Sequence, residues 1–217
     1  MDILTQLIAI DKQIFLLINS LHSAYFDAFM YTISKVPVWI PFYISVVYVL
    51  LKTYGKKGLW IVLVLILSVV MSDQISVFIK ETVQRLRPSH DESLANFIHL
   101  VNNRKAGLYG FVSSHATNTV GFAILSSLII RNKLYSISVL LWTSIVCYSR
   151  IYLGVHFPLD IIGGALLGTI IAVFLYSVYS QTFLKKYKHI EIENPKIPII
   201  TLSVIGLSIL IFSLLDK

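Results

Sequence analysis

Three clusters of polar residues interrupt a long apolar sequence, and each holds groups able to act on an anion. The first runs Lys80-Glu-Thr-Val-Gln-Arg-Leu-Arg87-Pro88. Lys80 and Arg87 are seven apart, two helical turns, so a helix carrying both puts them on one face. Pro88 then biases Arg87 away from helical geometry. The second is Phe111-Val-Ser-Ser-His115. Ser113 or Ser114 suits a helix N-cap, and a helix N-terminus offers free N–H groups to an anion. The third is Ser149-Arg150 through His156 to Pro158-Leu-Asp160. Pro158 fits the first turn of a helix, and Asp160 near the third position can reach back to His156. An acid held against imidazole fixes its tautomer and stabilises the imidazolium. Each cluster alone has an ordinary reading: cations snorkelling at a span end, a capping serine, an acidic first turn. Together they supply three cations for oxygens, an acid for a leaving group, and a nucleophile with an orienting partner. That is the inventory for phosphoryl transfer.

The elements that must position these residues are membrane helices. Of 217 residues, 56% are hydrophobic and 13% charged, about half the charge of an ordinary soluble domain. Mean hydropathy is +0.78. So apolar a chain is not disordered. The net charge of +7 is scattered between uncharged runs instead of gathered in a stripe, which argues against a nucleic-acid partner. The uncharged runs predict six spanning helices near 36–53, 58–79, 115–131, 134–151, 160–181 and 197–215. The fold class expected is therefore all-α: a polytopic six-helix transmembrane bundle, one domain over 1–217. Trp39, Trp60 and Trp142 fall near predicted span ends, where amphipathic rings favour the interface.

Ile3, Leu7, Ile10, Ile14, Leu17 and Leu21 recur at helical spacing. They predict an N-terminal amphipathic helix on the bilayer surface, with 1–35 as an interfacial region. Asp2, Asp11 and Lys12 interrupt the apolar pattern, so this is not a signal peptide. Loops 52–57, 131–133 and 182–196 share one face of the six-span layout. They carry nine basic residues against two acidic ones, which predicts a cytoplasmic face. The other side has nine of each sign. The whole net charge is thus an orientation signal. All three polar clusters, drawn independently of that layout, fall together on the opposite face.

On these residues the chain resembles the membrane-bound type 2 phosphatidic acid phosphatases, a family related in fold to vanadium-dependent haloperoxidases. Lys80, Arg87 and Pro88 match a first motif of Lys, six residues, Arg-Pro. Val112-Ser113-Ser114-His115 matches Pro-Ser-Gly-His with two departures, at Val112 and Ser114. Ser149, Arg150, His156 and Asp160 match the third motif, so the motifs span 80–160. The resemblance implies that His156 attacks phosphorus and Asp160 orients it, while His115 protonates the leaving oxygen and later activates water. Lys80, Arg87, Arg150, Ser113 and Ser114 hold the phosphate. It implies no cofactor and no metal, and no obligate protein partner is evident; the substrate is a membrane lipid phosphate met at the periplasmic face of a bacterial inner membrane. Lipid A is favoured, over undecaprenyl diphosphate or phosphatidylglycerol phosphate. Glycine in the second motif lets backbone approach phosphate, and Ser114 adds a hydroxyl there. A mechanism needing His115 cationic and His156 neutral gives a bell-shaped pH profile.

Outside the motifs, Asp73 lies seven residues before Lys80 and either holds Lys80 or Arg150 in place or is a carboxyl near enough to the interface to be wet. Gly164 and Gly168 predict close helix packing within the monomer. Cys147 reads as a packing residue. Loop 89–114 contains His90, Asp91, Glu92, His99, Arg104 and Lys105 and is the expected specificity element. A lipid phosphotransferase would carry the same motifs. A transporter or non-catalytic phosphate binder is disfavoured by the complete His115, His156, Asp160 set.

Overall fold

The structure is a computed structural model that describes residues 2–215. Its long helices are α1 (Ile3–Asn19), α2 (Ala24–Ile33), α3 (Ile40–Tyr54), α4 (Gly58–Val83), α5 (Ser114–Ile130), α6 (Lys133–Tyr152), α7 (Pro158–Tyr179) and α8 (Lys196–Leu215). Among the described residues there is no strand, only an isolated bridge between Leu86 and Tyr109. All six predicted intervals are helical. By length and composition four stretches qualify as membrane spans: Val36–Val83, Lys133–Tyr152, Pro158–Tyr187 and Lys196–Leu215. The first of these contains both α3 and α4. They double back on each other at Gly58, where a Cβ would lie 2.7 Å from the Leu50 carbonyl oxygen.

Helix α5 falls short of the spanning criterion. Its 17 residues are about 25 Å long against a hydrocarbon core of about 30 Å. It is instead the central post of the bundle, packed against α4, α6 and α7. The predicted glycine seam joins it to α7. A Cβ on Gly164 would lie 2.6 Å from the Ser113 carbonyl oxygen, and one on Gly168 2.5 Å from that of Thr117. Only glycine permits this approach, which fixes the first turn of α5 against the second and third turns of α7.

The core is aromatic where α3, α5 and α6 meet. Trp39 and Trp142 pack edge to face with centroids 5.4 Å apart, beside Phe42, Tyr43 and Phe122. The interfacial placement expected of Trp39 and Trp142 is thus replaced by burial, which edge-to-face ring contacts favour. Trp60 alone of the three is exposed.

The two ends of the bundle differ in charge. At one, loops 55–57 and 180–195 meet: the Tyr54 hydroxyl donates to the Ile190 carbonyl at 3.0 Å, and the Glu193 amide donates to Thr53 Oγ1 at 2.9 Å. Lys57 lies over the Tyr187 ring there, 4.6 Å from its centroid. At the other end lie segments 84–113 and 153–157, with the motif residues.

Helix α1 is amphipathic as expected, but with its polar side inward. Ile3, Leu7, Ile10, Ile14 and Leu17 face outward, while Asp11, Phe15 and Asn19 are buried. Apolar residues outside and polar ones inside suit a helix bounded by lipid on one side and protein on the other. α1 and α2 meet at 115° and satisfy the spanning test only when joined.

Candidate active site

Local chain geometry places each motif. Helix α4 ends at Val83, and Gln84 takes a left-handed conformation with φ 53°. Arg87 is therefore extended, with φ −73° and ψ 158°. The predicted stripe Asp73, Lys80, Arg87 on one helical face stops at Lys80. Arg87 reaches the site because its backbone N–H bonds to the Leu108 carbonyl at 3.1 Å, tying the segment after α4 to the one before α5. Between α6 and α7 the chain turns at Gly154, whose φ of 73° a side chain rarely allows. Pro158 opens α7, and Asp160 Oδ2 accepts the Phe157 amide at 3.0 Å, as the third position of a helix should.

His156 and Asp160 meet as predicted. His156 Nδ1 lies 3.3 Å from Asp160 Oδ2, and both residues are buried. On the far side of the ring, Nε2 lies 2.8 Å from Arg87 Nη1. A guanidinium donates and never accepts. Nε2 therefore presents its lone pair and Nδ1 carries the proton toward Asp160, the tautomer a nucleophile at Nε2 requires. Arg87 is itself held by the Tyr109 carbonyl (Nε, 2.9 Å) and the Val155 carbonyl (Nη1, 3.1 Å). Burial, with the positive charges of Arg87, Arg150 and Lys80, holds the His156 imidazole well below its usual pKa of 6.5. With the neutral ring as nucleophile, the acid limb of kcat/KM, which reports the free enzyme, is expected to have its midpoint below pH 6.5. A kcat/KM–pH profile in detergent micelles checks this, and a limb centred at 6.5 or above contradicts it.

A cavity of about 620 Å³ is lined by His115, His156, Arg87, Arg150 and Ser114 at one end. It continues between α3 and α4 over Val46, Val47, Val62, Leu65 and Val69. The motif residues thus sit at the head of an apolar groove. Arg150 donates to Ser34 Oγ through Nη1, while its Nε is buried with no partner. An orphaned guanidinium N–H is costly unless an anion satisfies it.

Three more of these residues take the following positions. Ser113 does not face the cavity: its hydroxyl is fully buried and caps α5, accepting the Ala116 amide at 3.4 Å. Ser114 takes the cavity position. Lys80 is not on the cavity wall either, because Nζ donates to Ser114 Oγ, which also lies 2.8 Å from Ser76 Oγ. The hydroxyl added where the family has glycine stands between the lysine and the cavity. Asp73 forms no ion pair with Lys80 or Arg150 among the described residues. Its position two turns earlier in α4 places it on the cavity wall.

The structure adds two residues. Arg85 Nη1 bonds Asp160 Oδ1 at 2.8 Å, and its Nη2 bonds Asp11 Oδ2 at 2.5 Å. The guanidinium also lies 4.4 Å from the Phe157 ring centroid. Asp11 Oδ1 accepts the Leu159 amide at 2.9 Å. The N-terminal helix is thereby joined through Arg85 to the carboxylate behind His156. Arg85 hides inside the first motif, off any helical register because α4 has already ended. For Asp11 a signal existed: Asp11, Phe15 and Asn19 recur every four residues on one face of α1.

The sequence profile of the PAP2 superfamily matches residues 58–184. The chain is 38% identical over 162 residues to a lipid A 4'-phosphatase of Bacteroides thetaiotaomicron, covering 73% of this chain and 72% of that one. It is 37% identical over 175 residues to a lipid A 4'-phosphatase of Porphyromonas gingivalis, covering 80% and 74%. Its fold matches a crystal structure of a transmembrane PAP2-type phosphatidylglycerolphosphate phosphatase from Bacillus subtilis. The TM-score is 0.66 at 18% identity, over 82% of this chain and 88% of that one.

Proposed function

Because the chain belongs to the PAP2 superfamily, whose members hydrolyse phosphoric esters, we propose that it removes a phosphate from the headgroup of a membrane lipid, with lipid A as the favoured substrate. The observation that carries this is the cavity, which joins His115, His156, Arg87 and Arg150 to an apolar groove between α3 and α4. Such a shape takes a phosphate at its head and a hydrocarbon chain along its length. The lipid A 4'-phosphatases at 37–38% identity favour lipid A over the alternatives.

In the mechanism proposed, the His156 Nε2 lone pair attacks phosphorus, forming an N–P bond as the P–O bond to the lipid breaks. His115 gives its proton to the departing oxygen. Arg87 and Arg150 hold the equatorial oxygens, and Lys80 acts on them through the Ser114 hydroxyl. Asp160 keeps the Nδ1 proton in place and balances the positive charge the ring acquires. Water then loses a proton to His115 and attacks phosphorus, and the N–P bond breaks to return neutral His156 and inorganic phosphate. The basic loops at 52–57, 131–133 and 182–196 would be cytoplasmic by the positive-inside rule, which puts the site on the periplasmic side of an inner membrane.

Purified protein in mixed micelles is to be tested against lipid A, undecaprenyl diphosphate, phosphatidylglycerol phosphate and phosphatidic acid, with phosphate release measured with and without chelator. The highest kcat/KM is expected for lipid A and is expected to survive chelation. Higher kcat/KM for another of these lipids would transfer the assignment to it, and no release from any would end the phosphatase reading. Label passing to an added lipid or sugar acceptor instead of water would favour a phosphotransferase.

A further inference from the structure

Beside the catalytic cavity lies a second one of about 550 Å³, and the two share His115 and Arg150 in their walls. Where the first is mostly apolar, the second is lined by Lys35, Arg104 and Lys105 in addition to Arg150. Three of these four cations have no place in the mechanism above. Among the described residues none of the three is in an ion pair. Two of the three contact a neutral ring instead: Lys35 Nζ lies 4.2 Å from the Tyr31 ring centroid, and Arg104 Nη1 donates to the Tyr31 hydroxyl at 3.2 Å. Tyr31 gathers these two without neutralising them.

Neither acid of the same loop, Asp91 or Glu92, lines this cavity. Asp91 pairs with Lys12 of α1 at 2.6 Å and caps the following turn through Ser93. His90 contacts the Ala106 carbonyl oxygen at 2.9 Å, and His99 meets Asp27 of α2 at 2.9 Å and stacks on His22. Loop 89–114 is thus anchored to the N-terminal helices by Asp91 and His99, while its two cations, Arg104 and Lys105, line the cavity. Cations bordering a cavity without acids offer a site to an anion, and a guanidinium beside an ammonium suits phosphate oxygens.

We propose that this second cavity binds a second phosphate, distinct from the one that reacts at His156. The lipid phosphatase reading, on which this rests, makes a headgroup carrying two phosphates the fitting ligand. One phosphate occupies the catalytic cavity while Lys35, Arg104 and Lys105 hold the other. Loop 89–114 then selects substrates by the charge at the far end of the headgroup. Inorganic phosphate leaving the site has the same chemistry, and the test separates the two sources.

The test compares wild type with Arg104→Gln/Lys105→Gln in mixed micelles on two lipids: a diphosphorylated acylated disaccharide, and the same lipid lacking the distal phosphate. The double variant is expected to raise KM for the diphosphorylated lipid about tenfold, leaving KM for the monophosphorylated lipid and both kcat values unchanged. Inhibition by inorganic phosphate is measured alongside. A rise in its Ki with no change in the KM ratio assigns the site to the released product. Equal KM increases for both lipids mean general attraction to an anionic surface and overturn the proposal, as does no change in any constant. Wild-type release from the monophosphorylated lipid is the internal control: its absence would count against the phosphatase reading itself.

Discussion

Replacing His156 with alanine is expected to lower kcat by about four orders of magnitude or more while leaving KM nearly unchanged. The ring is the one group in the cavity whose unprotonated nitrogen is defined by its neighbours. Arg87 Nη1 at 2.8 Å can only donate, so Nε2 carries the lone pair, and Asp160 stands 3.3 Å from Nδ1 on the other side. In the proposed mechanism the substrate's phosphate oxygens take over the Arg87 donor, and phosphorus is brought to the nitrogen that donor had occupied. Loss of the ring would then remove the nucleophile but leave Arg87, Arg150 and the apolar groove, so binding is expected to survive. His156→Asn, which keeps a polar side chain near the Arg87 guanidinium, is expected to be as inactive as alanine. Turnover within tenfold of wild type in either variant would place the nucleophile elsewhere.

The second large effect is expected at Arg85. Asp11 and Asp160 are both buried, and Arg85 is the cation that reaches both. Arg85→Met leaves two carboxylates facing each other without it. Removing one partner of a buried pair typically costs about 3–5 kcal/mol, and here one removal strands two acids. The variant is expected to melt well below wild type in detergent. Its kcat is expected to fall about a hundredfold, because Asp160 loses the contact that aims Oδ2 at His156. Adding Asp11→Asn removes one stranded charge, and the double variant is expected to regain part of the lost melting temperature. A purely space-filling role for Arg85 predicts no such recovery. An Arg85→Met protein that melts and turns over like wild type would show that the link from α1 to Asp160 has no function.

What was legible in the sequence follows from where each residue sits. His115, Arg150, His156 and Asp160 occupy helix ends, where capping preferences and short spacings constrain geometry, and all four lie where those rules put them. The helices themselves were legible because uncharged runs leave few alternatives. Lys80 and Arg87 were legible as residues but not as geometry: seven-residue spacing implies a shared face only while the helix lasts, and α4 ends at Val83. Asp11 was read as an interruption in an apolar pattern. In the fold it is the polar face of a helix turned inward, which hydropathy alone does not distinguish from an interfacial helix. The tryptophans misled for a related reason. Position along a span does not tell which way a ring points, and Trp142 points into the core beside Trp39. Ser113 and Ser114 are adjacent and chemically identical. Only the turn into α5 decides that the first caps the helix and the second faces the cavity.

The central claim, that phosphate passes through His156, is tested most directly by trapping the covalent enzyme. Wild type is mixed with lipid A carrying labelled phosphate, quenched in alkali within a turnover, and the labelled peptide is mapped. The predicted result is one phosphate, stable to alkali and lost in acid, on His156. A labelled residue other than His156, or burst-free phosphate release with no labelled protein at any time, would contradict it.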